Sequence, residues 1–334
     1  MPPRVSVLLP CRNARPTLDA ALDSLAAQTY DAYEIIAVDD GSIDGTGARL
    51  AARARGDPRL RVLHEPARGL VSALTAAATV ARGELLARMD ADDLAAPDRL
   101  ARQVAWLDAH PDAAACGTQI RYFPRRLVRD GARRYERWIN DVLTPDDMDR
   151  NLFVECPIPH PTLMMRRTAY EAAGGYRQTE WPEDYDLLLR LVADGWRLGK
   201  VPEVLLDWRE GPDRLSRTDP RYAEDAFRRL KAAFLPRLRL AGRSVLMWGA
   251  GPVGKAFARA LQQEGQTVVA FVELDPRKLG QTIHGAPVIP PSRIHEVRGA
   301  YALAAVGAAD ARAEIRTALE AAGWREIHEW CAVA

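Results

Sequence analysis

Up to about residue 110, short apolar runs alternate with segments of helical period, and this alternation restricts the chain to a parallel α/β sheet. The runs fall at 5–10, 33–38, 60–63 and 84–89, with helical periods at 17–28, 45–54 and 69–81 between them. Strands this apolar are buried on both faces, and parallel neighbours need helical crossovers of the kind the spacing supplies. Ligands of such sheets bind beyond the carboxyl ends of the strands. Here those ends carry Cys11-Arg12-Asn13, Asp39-Asp40-Gly41-Ser42 and Asp90-Ala91-Asp92, so polar clusters converge on one edge.

The last cluster is the most informative chemically. Residues 83–89 read as a buried strand, and Pro97 followed by Arg99, Leu100, Val104 and Leu107 reads as the next helix, so the acids sit in the loop between. Hard carboxylate oxygens suit Mn2+ or Mg2+, which bind through one or two carboxylates together with the phosphates of a substrate. A nucleotide diphosphate is the third party this implies. The alternative for a lone Asp-x-Asp is a solvated turn that caps the following helix.

A chain of 334 residues exceeds one ordinary core, and a second α/β start is visible after residue 240. Residues 244–248 form an apolar strand running into Gly249, Gly251 and Gly254, a Gly-x-Gly-x-x-Gly turn in the right context. Strands are expected at 267–272, 302–306 and 326–330, with helices at 253–264 and 309–322. Glu273 and Asp275 stand where a ribose-binding acid belongs, so a nucleotide or NAD(P) is the ligand such a lobe would take. The division expected is 1–222, a linker helix over 223–242, and 243–334. Arg228, Arg229, Lys231, Arg237 and Arg239 on that helix also resemble a membrane-surface pattern, but Pro236 is expected to break it.

Charge excludes some functions. The 46 basic and 45 acidic side chains nearly cancel, so no global field attracts nucleic acid or an anionic bilayer. Cys11, Cys116, Cys156 and Cys331 form no Cys-x-x-Cys pair, which argues against zinc and against a disulfide framework. With no signal-peptide core and no apolar run near the 18 or so residues of a spanning helix, the expectation is a cytoplasmic protein, at most peripheral at the inner face of the membrane. Residues 121–137 hold seven arginines and read as a solvated loop, with a phosphate-bearing acceptor as the other reading.

Taken with residues 5–13, Gln28-Thr29-Tyr30, Pro97-Asp98-Arg99-Leu100 and the run 181–190, the turn at 38–46 and the Asp-x-Asp stretch resemble the family-2 glycosyltransferases over about residues 3–215. The resemblance implies a GT-A nucleotide-diphospho-sugar transferase fold and inversion at the anomeric carbon. It places the nucleotide against Pro10, Arg12, Asp39, Asp40 and Asp90, with Asp40 on the base; it places the metal on Asp92 and Asp90. Asp184 is implied as catalytic base, with Glu183 beside it. Both acids could otherwise simply open a helix, where negative charge is favoured. His160 is a further residue for the acceptor side, though a lone histidine is more often structural. The second lobe resembles small Rossmann-like lobes of bacterial sugar-modifying enzymes through residues 271–275, 278–280 and 283–288.

The function expected is therefore a metal-dependent inverting transfer from a nucleotide sugar, a UDP-sugar favoured, to a glycan or lipid-linked acceptor. The processive Gln-x-x-Arg-Trp signature is missing, which favours single transfers. The alternatives are an NAD(P)-dependent sugar-nucleotide oxidoreductase and a non-catalytic sugar-nucleotide-binding protein.

Overall fold

The computed structural model describes residues 2–212 and 214–334. They divide into two compact units, the first made of Met1–Met148, Pro157–Thr179 and Glu183–Thr218, and the second of Asp149–Cys156, Glu180–Pro182 and Asp219–Ala334.

In the first unit the strands are β1 (Val5–Cys11), β2 (Tyr33–Asp40), β3 (Leu60–Glu65), β4 (Leu85–Arg88), β5 (Leu94–Ala95), β6 (Ala113–Phe123), β7 (Met164–Arg166) and β8 (Arg197–Arg209). They form one sheet in the order β3-β2-β1-β4-β7-β6-β8-β5. The β3-β2-β1-β4 half is wholly parallel, as the apolar runs imply. β7 then runs antiparallel to both β4 and β6, and the sheet becomes mixed. Register sets Cys11 beside Asp39, and Asp39 beside His64, so the polar strand ends are level. Val7, Leu9, Ile35, Ala37 and Leu85 fill the core beneath them at 2% exposure or less. Gly83 is needed at the entry to β4, because a Cβ there would lie 2.7 Å from the Ser6 nitrogen.

Residues 121–137 are not the loop expected. β6 runs on to Phe123, and a helix covers Asp130–Asp141. Its Tyr135, Trp138 and Ile139 recur at helical spacing and pack on the core, which offsets the cost of ordering so charged a segment.

In the second unit the strands are β9 (Val245–Trp248), β10 (Val268–Val272), β11 (Thr282–Ile283), β12 (Ala286–Ile289), β13 (Tyr301–Ala304) and β14 (Trp330–Ala332). The order is β11-β12-β10-β9-β13-β14, so the five parallel strands lie 3-2-1-4-5 in their own chain order, the order of a doubly wound sheet. The last strand is later than the expected 326–330: Glu326 makes only an isolated bridge, and Ile327 has φ 69, so regular pairing waits until Trp330. The helix Glu224–Leu235 falls in this unit, and Pro236 does not end it but is absorbed into a wide π turn over Pro236–Leu240. Lys231 is buried on it, its Nζ donating to the carbonyls of Val154 at 2.7 Å and Val333 at 3.1 Å. Burial lowers its pKa to about 8.

Candidate active site

The loop after β4 is held from several directions before any ligand is considered. Arg99, almost fully buried, donates Nη2 to the Arg88 carbonyl at 2.6 Å and Nε to Gln103 Oε1 at 3.1 Å. Gln103 in turn reaches the Thr162 carbonyl at 2.8 Å. Thr17 Oγ1 donates to the Ala91 carbonyl at 2.9 Å. Gln28 bridges the loop's exit, giving Nε2 to the Ala96 carbonyl at 2.7 Å and accepting from the Leu100 nitrogen at 3.0 Å. Gln28 and Arg99 thus act as scaffold, fixing the backbone on either side of the acids. Removing water from Arg99 lowers its pKa to about 10, a cost set against three hydrogen bonds.

On that scaffold stand three carboxylates. Asp90, Asp92 and Asp93 each offer an oxygen, all within 4.8 Å of one another. Asp93 is wholly buried; Oδ1 accepts the Arg209 nitrogen at 2.7 Å, while Oδ2 has no hydrogen-bond partner. Arg209 also gives Nε to the Asp92 carbonyl at 2.7 Å. Arg88 pairs with Asp90 from within the sheet, where its own Nε is buried without a partner. Burial, then the neighbouring Asp90, pushes the Asp92 carboxyl up to about 6. The same causes, with Asp92 added, raise Asp93 well above the carboxylate range. Asp92 and Asp93 thus resist ionising beside Asp90, and one Asp93 oxygen is left orphaned. The oxygen donor set fits a hard divalent cation.

The Arg88 charge also reaches His160 and Tyr176. His160 is buried, with Nε2 2.8 Å from the Tyr176 hydroxyl and Nδ1 3.6 Å from Glu183 Oε1. Burial first, and Arg88 second, hold its pKa well below the usual value, so the ring is neutral. Tyr176 in turn feels Arg88, Glu183 and Asp184. Glu183 is fully buried at the start of the helix Glu183–Ala193, whereas Asp184 beside it is half-buried, its Oδ1 accepting the Tyr185 nitrogen at 2.8 Å.

The nucleotide-side residues lie at the ends of β1 and β2. Asp40 is buried; it accepts from the Arg68 nitrogen at 2.7 Å and the Gly69 nitrogen at 3.0 Å, and pairs with Arg12 Nη1 at 3.2 Å. It therefore anchors the start of the helix Leu70–Val80. Asp39 accepts the Ser42 nitrogen at 3.1 Å and lies 3.3 Å from His64 Nδ1. Gly47 makes room for it, since a Cβ there would stand 2.4 Å from Asp39 Oδ2. Pro10, half-buried, precedes them on β1.

In the second unit, Gly249 has φ 115 and Gly254 lies so close to the Gly249 carbonyl that a Cβ would stand 1.9 Å from its oxygen. Both glycines have conformational reasons. Gly251 has none: nothing lies within 4 Å of its added Cβ. Glu273 is paired with Lys278 at 2.8 Å, and Asp275 with Arg277 at 2.8 Å.

Arg88 and Arg209 were not visible as site residues. A cation inside the apolar run 84–89 is the signal that marks Arg88. Arg209 has no local signal, being brought in from the far end of β8.

A parallel half-sheet with carboxylates at its strand ends, extended by a mixed half, is a GT-A architecture. Residues 6–174 match the profile Glycosyl transferase family 2, and the chain belongs to that family of glycosyltransferases. It is 35% identical over 242 residues to the putative glycosyltransferase EpsE of Bacillus subtilis, across 69% of this chain and 84% of that one. It is 30% identical over 201 residues to the amylovoran biosynthesis glycosyltransferase AmsE of Erwinia amylovora, across 60% and 73%. Among solved structures, S. aureus TarS 1-349 in complex with UDP-GlcNAc superposes with a TM-score of 0.55 at 18% identity, covering 70% of this chain and 66% of that one. The mannosyltransferase PcManGT from Pyrobaculum calidifontis, in complex with GDP-Man and Mn2+, superposes at 0.51 with 27% identity, covering 71% and 63%. The chain thus spans just under two thirds of these solved chains.

Proposed function

We propose that the first unit is a metal-dependent inverting glycosyltransferase that takes its sugar from a nucleoside diphosphate, a UDP-sugar favoured, and passes it to a glycan or lipid-linked acceptor. The observation that carries the reading is the triad Asp90, Asp92 and Asp93, whose oxygens lie within 4.8 Å of one another at the carboxyl end of β4. The GDP-Man and Mn2+ held by PcManGT support a divalent ion and a diphosphate donor. Asp92 and Asp90 would hold Mn2+ or Mg2+, which when bound neutralises charge on the departing diphosphate.

The chain's own residues do the rest. Asp93 and Arg209 keep the acid loop in place, and Arg88 fixes Asp90. Asp39, Asp40, Arg12 and Pro10 border the nucleotide, with Asp40 serving both the base and the helix it anchors. Asp184 takes the proton of the acceptor hydroxyl as that oxygen bonds to the anomeric carbon and the bond to the diphosphate breaks on the opposite face. Glu183, buried against His160, sets the start of the helix that carries Asp184. The second unit serves binding or assembly, with Gly249, Gly251, Gly254, Glu273 and Asp275 as the ground for a nucleotide or NAD(P) there. The localisation that goes with this reading is cytoplasmic, at most peripheral at the inner face of the membrane; no helix among the described residues is long and apolar enough to cross one.

A panel of UDP- and GDP-sugars, each with Mn2+ and with EDTA, tests the reading by donor hydrolysis and thermal stabilisation. Metal-dependent stabilisation and slow hydrolysis of at least one donor is the expected result. No metal-dependent response to any nucleotide sugar would overturn it.

A further inference from the structure

The segment after β6 carries a dense and unneutralised positive surface. Arg126, Arg129, Arg133, Arg134 and Arg137 are all exposed, and none has an ion-pair partner among the described residues. Their neighbours Arg121 and Arg125 are instead taken up by Asp207 and Glu136. On the helix Asp130–Asp141, positions 133 and 137 are one turn apart and 134 lies beside them, with Arg129 one turn before. Its other face is committed: Tyr135 and Trp138 pack on the core and Ile139 is fully buried.

The helix lies against β6 in a fixed direction. Asn140 exchanges two hydrogen bonds with Ile120, each 2.8 Å, and Glu136 Oε2 accepts the Tyr122 nitrogen at 3.1 Å. Residues before 136 therefore extend past the end of β6, where the Phe123 ring lies 4.5 Å beneath the Arg209 guanidinium. That guanidinium is the one that holds the Asp92 carbonyl. The cationic end of the helix thus borders the rim of the acid loop.

We propose that this face docks the first unit on an anionic bilayer, through Arg126, Arg129, Arg133, Arg134 and Arg137. Charge complementarity selects a polyanionic partner, and the local chemistry selects a membrane among them. The aromatic rings of the helix, Tyr135 and Trp138, pack against the core and are only partly open, which does not make a platform for bases to stack on. Leu127, 46% exposed beside the arginines, suits shallow insertion at a headgroup boundary. The consequence for the acceptor rests on the glycosyltransferase reading: a face at the rim of the acid loop would bring lipid-borne hydroxyls or phosphates to the site. The docking itself does not depend on that reading.

Co-sedimentation with phosphatidylcholine vesicles, with and without phosphatidylglycerol, tests the proposal on the full chain. Binding is expected only with the anionic lipid and is expected to vanish at about 1 M salt, where charges are screened within about 3 Å. The variant Arg129→Gln/Arg133→Gln/Arg134→Gln/Arg137→Gln should lose affinity by about fivefold per arginine, while thermal unfolding and donor hydrolysis in solution stay unchanged. Equal vesicle binding by the variant would overturn it, as would indifference of the wild type to phosphatidylglycerol. Binding to heparin or duplex DNA without binding to vesicles would also overturn it. Loss of donor hydrolysis in every condition with vesicle binding intact would count against the enzymatic reading alone.

Discussion

Arg209 donates its backbone nitrogen to Asp93 Oδ1 at 2.7 Å, across 116 residues of chain, and so pins the acid loop to the end of β8. With the Asp92 carbonyl held by the same residue at 2.7 Å, the loop's shape does not depend on the Asp92 carboxylate. Asp92→Asn should therefore leave the fold and melting temperature close to wild type while removing most metal-dependent binding of UDP. Isothermal titration with UDP and Mn2+ checks this, and unchanged metal-dependent affinity would remove Asp92 from the metal site.

The same carboxyl gives a pH dependence with a definite sign. Its pKa is raised from 3.8 to about 6 by burial and by Asp90, so the folded, metal-free protein holds a proton there that the unfolded chain gives up near 3.8. Between those values the group favours folding at the acidic end, and that contribution is lost as pH rises through about 6. Mn2+ must displace the proton, so its affinity should fall below about pH 6, by up to tenfold per unit. Titrations of the wild-type protein at a series of pH values check it, and an affinity that stays flat as pH crosses about 6 would overturn it.

Asp184→Asn tests the other side of the reaction. Asp184 is half-buried and sits on a helix start that Glu183 and His160 brace, so the amide should fit the same place. Donor binding should survive, and kcat should fall by about 10²–10⁴ for loss of a general base. Turnover near wild type would reduce Asp184 to a residue that favours the helix start through its charge.

How much of this was legible follows from the range of the interactions. The parallel half-sheet could be read because each strand and crossover is local, and the acids at 39–40 and 90–92 advertise themselves as polar ends of apolar runs. The grip of Arg209 on Asp92 and Asp93 could not, because it arises only when β8 pairs beside β6. Gln28 and Arg99 were visible as motif members, yet their work as loop anchors depends on partners 68 and 11 residues away. The arginine segment misled for a different reason. Its charge suggests a loop, while the sparse apolar positions Tyr135, Trp138 and Ile139 are what fold it.

The glycine turn of the second unit offers a test that separates architecture from ligand. Cutting the chain at residue 240 would be a poor experiment, because the helix Glu224–Leu235 and residues 149–156 belong to the same unit, and Lys231 would lose the Val333 carbonyl. Point changes are cleaner. Gly254→Ala sets a methyl 1.9 Å from the Gly249 oxygen and should destabilise the protein, by about 1–3 kcal/mol as overpacking typically does. At Gly251 an added Cβ has nothing within 4 Å, so Gly251→Val should leave the melting temperature nearly unchanged. If a dinucleotide or nucleotide lies on the start of the helix Pro252–Gln263, the valine would occupy the approach of its phosphates and abolish that binding. Fluorescence of Trp248, at the end of β9, titrated with NADH and with UDP, reads the outcome. A response kept at full strength in Gly251→Val would mean that the turn is a strand-to-helix connection and no phosphate site.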